Sequence, residues 1–206
     1  MKTGIINYGM GNLLSVYSAA EYVGGDVTYC NNKNDISECD KLILPGVGAF
    51  KDCVKNLREL GFWDVLNEEI LTKKKIILGI CLGMQVMAQK SYEDGEFEGF
   101  GWFDAEVIKI EPKDKNLKVP QIGWNNIKYD KDNPLFKGLP EKSEFYFVHS
   151  YYMNCKNKTD IKATCDYGIT VTAAVNKENI FAVQFHPEKS QDYGLRVLKN
   201  FLTLNS

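Results

Sequence analysis

"KIILGICLGMQ" (residues 75–85) is the stretch on which the fold turns. Ile76, Ile77, Leu78 and Ile80 form a run too short for a helix and too continuously apolar for a strand with one wet face, so the pattern predicts a strand buried on both faces. Cys81 stands where that strand ends, with Gly79 and Gly83 two residues away on either side, and residues 82–89 can form a helix. Strand, sharp turn, single residue and helix in that order make a nucleophile elbow with sulfur in place of a hydroxyl. A thiol so placed meets the first amide N–H groups and the dipole of the helix, which favour negative charge on the sulfur. The segment alone also fits a small buried hydrophobe, the usual role of a free cysteine.

Outward from this point, the first ninety residues alternate strand and helix patterns. Residues 3–7 read as a short apolar strand, and Asn12 can cap a helix through Val23, with Leu13, Val16, Tyr17, Ala20 and Val23 at helical spacing. Residues 26–30 and 41–44 read as strands, and 49–60 have helical periodicity. Repeated βα units predict a doubly wound, mostly parallel sheet with helices on both faces, binding its ligands beyond the carboxyl ends of the strands. Cys81 and the turn "LPGVGAF" (44–50) fall at that edge. The second half changes character: a glycine-rich acidic stretch, "SYEDGEFEGFGW" (91–102), precedes short β patterns at 105–110, 122–128, 144–152, 161–165, 170–175 and 180–185, then a helical pattern at 189–204. We read these as an antiparallel extension of the same sheet, giving one α/β domain over 1–206 without repeats or linkers.

Composition narrows the function. The 25 basic and 27 acidic residues are spread along the chain, giving a formal charge of −2 and no electrostatic footprint for nucleic acid or an anionic membrane. No stretch approaches the roughly 20 apolar residues that span a bilayer, and the opening "MKTGIINYGMGN" lacks the apolar core of a signal peptide. The six cysteines show neither CxxC pairs nor metal-ligand spacing, so reduced cytoplasmic thiols and no metal or cofactor are expected.

Only two histidines are available as a base. His186 stands in "AVQFHPEKS", where Pro187 ends the preceding strand. Extended chain would bring Glu188 to the same side as His186, as a base and its orienting carboxylate require. An ordinary strand-end histidine is the competing reading, and Cys81 in the same chain weighs against it. His149, among alternating aromatics in "FYFVHSYY", reads as core. "PGVG" (45–48) offers unobstructed backbone amides for an oxyanion or serves as a plain βα turn. "YGMGN" (8–12) lacks the third glycine of a dinucleotide fingerprint. Lys73–Lys75 and the acidic residues 93–98 read as solvated.

Together and in order, "GICLGMQ", "PGVGAF" and "FHPEKS" resemble the class I glutamine amidotransferases, flavodoxin-like proteins with a Cys–His–Glu triad. Within that class, "INYGMGNLLSV" (5–16), "PQIGWN" (120–125) and "YFVHSYY" (146–152) resemble the glutaminase subunits of imidazole glycerol phosphate synthases. The resemblance implies L-glutamine as substrate, Cys81 as nucleophile, His186 as acid and base, and Glu188 as its orienting group. It implies an oxyanion hole from Leu82 N–H and the Gly46–Val47–Gly48 turn, which must flip a peptide before it donates. Gln85, Ser150 and Tyr151 would line the glutamine pocket, and Trp124 and Lys189 would lie at an interface with a separate cyclase (β/α)8 barrel, the two chains forming a heterodimer. Asn7 and Leu14 depart from the aspartate and arginine of the subunit's usual pattern. Two alternatives share the motifs: a glutaminase feeding another synthase, such as one installing amidino groups on sugars, and a stand-alone cysteine hydrolase.

Overall fold

The computed structural model describes residues 1–205. Its first half runs β1 (Lys2–Ile6), α1 (Leu13–Tyr22), β2 (Asp26–Cys30), α2 (Lys33–Glu38), β3 (Lys41–Gly46), α3 (Phe50–Glu59), α4 (Phe62–Asn67), a π-helical turn (Glu68–Thr72), β4 (Ile76–Cys81) and α5 (Leu82–Gln85). The second half continues β5 (Ala88–Ser91), β6 (Phe97–Glu98), β7 (Phe103–Lys109), β8 (Gln121–Tyr129), β9 (Glu144–His149), β10 (Tyr151–Cys155), β11 (Ile161–Asp166), β12 (Thr170–Lys177), β13 (Ile180–Val183) and α6 (Gln191–Leu202). A nine-stranded sheet in the order β2-β1-β3-β4-β13-β12-β11-β8-β9 forms the frame. It is parallel from β2 to β13 and antiparallel from β13 to β9.

The central strands are apolar throughout because both faces are covered, and the pleat divides them between two cores. Ile6, Leu42, Leu44 and Ile77 face α3, α4 and α5 through Phe50, Leu57, Phe62, Leu66 and Met84. Ile5, Ile43, Leu78, Ile80 and Val183 face α1 and α6 through Val16, Val197, Leu198 and Phe201. Because successive residues alternate in this way, neither face of β4 reaches water.

Four expectations are corrected. The helix expected over 82–89 stops at Gln85, and the chain turns into β5 because Val86 O, Ala88 O and Gln89 O accept from Phe100, Gly101 and Gly99 N–H. The antiparallel extension exists, but residues 105–110 do not join it: β7 lies in a second sheet, ordered β10-β7-β5-β6. The aromatic run 144–152 is likewise divided at Ser150, with β9 pairing with β8 in the large sheet and β10 with β7 in the small one. Lys75 is not solvated: it is 10 % exposed, forms a 2.8 Å ion pair with buried Glu69, and donates to the carbonyls of Ile36 and Ser37.

The acidic loop is also tied down. Arg58, Trp63, Phe100 and Trp102 stack in succession, with 4.3 Å from guanidinium to ring and 3.9 and 4.3 Å between rings, holding residues 91–102 against α3 and α4. Among the described residues no helix is long and apolar enough to cross a membrane.

Two glycines allow α5 to sit against the sheet. A Cβ on Gly83 would lie 1.8 Å from Leu44 O, and one on Gly79 would lie 2.7 Å from Gly83 O. Both obstacles are backbone and cannot swing aside. Gly83→Ala should therefore lower the unfolding free energy by about 1–3 kcal/mol through overpacking, read as a lower denaturant midpoint at unchanged slope. An unchanged midpoint would show that α5 can lift from β3 without cost.

Candidate active site

Cys81 is the last residue of β4 and the first before α5, with φ +54° and ψ −109°. That left-handed backbone is strained for a side chain, and it is held by the close seating of α5 on β3. Register places Gly46, at the end of β3, directly beside Cys81. On the other flank Val183 pairs with Ile80, so the chain leaving β13 passes Cys81 immediately.

His186 arrives by that route. Its N–H donates to Tyr146 O at 2.9 Å, while Ser190 Oγ donates to His186 O at 2.6 Å and accepts from Tyr146 N–H at 2.9 Å, so β9 braces the backbone on both sides. Residues Pro187–Lys189 form a 3-10 turn rather than extended chain. The turn, not strand alternation, brings Glu188 round. Nδ1–H of His186 donates to Glu188 Oε1 at 2.8 Å, with the two side chains 2 % and 1 % exposed. Nε2 is left without a well-aligned hydrogen bond and lies beside Cys81. Burial works against a charged imidazole, but the Cys81 sulfur and the Glu188 carboxylate outweigh it and push His186 up to about 10.

A cavity of about 260 Å³ opens in front of these groups, lined by Val47, Gly48, Cys81, Leu82, Gln85 and Glu93, with residues 148–151 and His186 closing the far side. It lies where the chain crosses from β9 to β10, the point at which the large sheet gives way to the small one. Gln85, Ser150 and Tyr151 therefore border the cavity, and so do Val47, Gly48 and Leu82; Gly46 sits just behind, its Cα hemmed in by Tyr8 Oη and Leu82. Gly48 has φ +100°, and Val47 is 39 % exposed. Trp124 and Lys189 lie outside the cavity on exposed surface; Trp124 is 45 % exposed and meets Tyr146 edge-on at 6.0 Å. Among the described residues no group of acidic, histidine and cysteine side chains could hold a metal ion.

One site residue was misread from the sequence, and a second has a further place in the site. Glu93, in the acidic loop, turns into the cavity and accepts from Phe50 N–H at 2.8 Å, at the start of α3. Burial pushes its carboxyl above the usual range, against the opposing effect of that N–H. His149 is buried as expected but also borders the cavity. Its Nδ1–H donates to Tyr151 O at 2.8 Å, which leaves Nε2 as an acceptor. Burial pushes it down to about 4, the neighbouring His186 adding to the effect and the Tyr151 carbonyl opposing it. The aromatic alternation that marked residue 149 as core carried no sign of the sheet crossing at Ser150. Asn7, a departure from the expected aspartate, donates to Asn31 Oδ1 at 2.8 Å, away from the cavity.

Residues 5–204 match the family described as glutamine amidotransferase class-I. The chain is 49% identical over 200 residues to imidazole glycerol phosphate synthase subunit HisH 1 of Campylobacter jejuni, covering 97% of this chain and 98% of that one. It is 44% identical to subunit HisH 2 of Pseudomonas aeruginosa, with the same coverage of both. Among solved structures, a glutamine amidotransferase superimposes with a TM-score of 0.75 over 98% of this chain and 99% of its own, at 17% identity, which is a likeness of fold.

The two histidines should titrate far apart, which NMR of the imidazole Cε1 protons can read directly. His149 is expected to have a midpoint near 4 and His186 near 10, with neither moving between about pH 6 and 8. The folded value of His186 exceeds its ordinary 6.5, so its contribution to stability is full below pH 6.5 and fades as pH rises through about 10. Glu188→Gln should lower the His186 midpoint. A histidine titrating near 6.5 in the folded chain would contradict this electrostatic picture.

Proposed function

The chain belongs to the class-I glutamine amidotransferases, and from that premise we propose that it is the glutaminase subunit of an imidazole glycerol phosphate synthase. In this reading it hydrolyses L-glutamine in the cytoplasm and delivers ammonia to a separate cyclase (β/α)8 barrel of histidine biosynthesis. The observation that carries the proposal is the buried alignment of Cys81, His186 and Glu188 at one mouth of a cavity sized for a small molecule. The relatives named above, matched over nearly their full length, support the subunit assignment.

The chemistry follows from the geometry. The Cys81 sulfur attacks the carboxamide carbon of glutamine, and the resulting oxyanion is held by Leu82 N–H and an amide of the Gly46–Val47–Gly48 turn. An imidazolium at His186 is the proton source: Nε2–H protonates the departing nitrogen as the C–N bond breaks, leaving a γ-glutamyl thioester and ammonia. The neutral imidazole then takes a proton from water as it attacks the thioester. The C–S bond breaks, glutamate leaves, and the sulfur recovers its starting state. Throughout, Glu188 keeps Nδ1 protonated, so that Nε2 faces the sulfur. In the cavity Gln85, Ser150 and Tyr151 hold the amino-acid portion of the substrate, and Glu93 supplies the anionic partner for its ammonium group.

The oxyanion turn is the natural point of control. Glycine at 46 and 48 lets its peptides reorient at little steric cost, and exposed Val47 is open to a neighbouring chain. Exposed Trp124 and Lys189 belong, in this reading, to the barrel-facing surface. Partner binding that favours the donating form of the turn couples ammonia release to the presence of an acceptor.

Two measurements test the reading. Glutamate release by the purified chain should be low alone and rise about tenfold or more with the cyclase barrel and its acceptor ligand, and Cys81→Ala should abolish it. A fully active free chain would contradict the control mechanism; no stimulation, with a glutamine analogue still trapped on Cys81, would transfer the subunit to another synthase. Separately, Glu93→Gln should raise KM for glutamine about tenfold with little change in kcat; a loss confined to kcat would remove Glu93 from ground-state binding.

A further inference from the structure

Gln184 precedes the His186 motif by two residues and has no place in the mechanism above. It is fully buried and borders neither solvent nor the cavity. A buried primary amide costs stability unless its groups are satisfied. Here they are satisfied in one direction only.

Tyr151 O, an acceptor, stands at the head of a chain of contacts. Gln85 Nε2 donates to it at 2.9 Å and to Gln184 Oε1 at 3.1 Å, using both of its amide hydrogens. With Oε1 of Gln184 committed to Gln85, its Nε2 is turned the other way, where it meets Cys81 Sγ at 3.6 Å. The backbone carbonyl of Tyr151 thus sets the polarity of the whole relay, and an N–H must point at the sulfur. Reversing Gln184 would set its amide hydrogens against those of Gln85 and its oxygen against the sulfur. The backbone is equally fixed, since Gln184 N–H donates to Ala173 O at 2.9 Å and Val183 is in register with Ile80.

We propose that Gln184 is a catalytic hydrogen-bond donor to the Cys81 sulfur, and that Gln85 is the positioning residue that keeps its amide pointed there. The inference rests on the glutaminase reading in taking Cys81 as the nucleophile. A fixed N–H aimed at sulfur favours the anion over the thiol and holds the side chain in one rotamer ready for attack. His186 performs the proton transfers from the opposite side. Because Gln85 also borders the cavity, a glutamine side chain bound there touches the same relay that orients the donor.

The other titratable groups around Cys81 are His186, from the turn after β13; Tyr8, from the turn after β1; and Glu93 and His149, across the cavity. Glu188 acts through His186. None changes in a Gln184 variant, so the reactivity of the sulfur isolates the amide.

The test follows iodoacetamide labelling of Cys81 in the full chain across pH, located by peptide mass spectrometry, alongside glutamine turnover and thermal unfolding. Gln184→Met, which keeps the bulk and removes the donor, should slow labelling at pH 7 about tenfold. It should also lower kcat with KM within about twofold. Gln184→Glu, close in shape, should also slow labelling, because it replaces the amide N–H facing the sulfur with a carboxyl group; it carries the test if the methionine variant does not fold. Labelling profiles of both variants that superimpose on that of the unaltered chain would overturn the proposal, even if turnover falls in step with melting temperature, and Gln184 would then be a packing residue. Failure of the glutaminase reading would look different: Cys81 of the unaltered chain would label no faster than the other five cysteines, and both readings would fall together.

Discussion

The reversal of the chain at Cys81 is the constraint on which the rest depends. A strand buried on both faces ends, and within one residue a short helix begins, so close to β3 that a single methyl group at Gly83 would meet the carbonyl of Leu44. That proximity has no room for a relaxed linker, and Cys81 takes a left-handed backbone conformation as a result. The strain has a geometric product: the thiol is lifted from the sheet edge into a cavity that borders both sheets. Packing of glycine against backbone, rather than any property of sulfur, thus decides where the reactive atom sits.

Around that point the fold supplies partners from distant sequence by using adjacent strands. β13 lies beside β4 in parallel register, so the segment leaving it must pass Cys81. Gln184 and His186 alternate along this segment, one donating to the sulfur and the other standing beside it. Glu188 returns to His186 through a 3-10 turn, and β9 anchors the turn through Tyr146 and Ser190. The wall opposite is made where β9 ends and β10 joins the smaller sheet, which explains why a short run from Val148 to Tyr151 contributes so many cavity-lining groups. Electrostatics then separates the two histidines: one, paired with a carboxylate and next to sulfur, keeps its proton, while the other, buried with only a carbonyl partner, stays neutral.

What was legible in the sequence were the features that local chemistry imposes. Alternation of short apolar runs with helical periodicity predicted the wound sheet, because strands covered on both faces lose their polar half. Glycines around Cys81 predicted the elbow, and the Pro187 break predicted a strand end at His186, whereas β13 ends at Val183. Less visible was anything that depends on which strand lies beside which. Residues 86–88 are apolar with no decisive period, and the entry of the chain into β5 rather than a longer α5 follows from hydrogen bonds to residues 99–101. Glu93 looked like one more solvated acid until an aromatic stack pinned its loop against α3 and α4 and turned the carboxylate inward.

The sequence by itself determined the class of fold, the elbow that carries Cys81, the candidate base His186 and the glycine-bearing turn near them, since each is written in contiguous residues obeying local rules of backbone geometry and burial. Only the tertiary structure decided the division into two sheets, the crossing at Ser150, and the relay from Tyr151 through Gln85 and Gln184 to Cys81. The physical reason is that hydrogen-bond direction in a buried amide chain is set by its terminal acceptor. That acceptor, the carbonyl of Tyr151, lies 66 residues from Gln85 and reaches it only once the strands are paired.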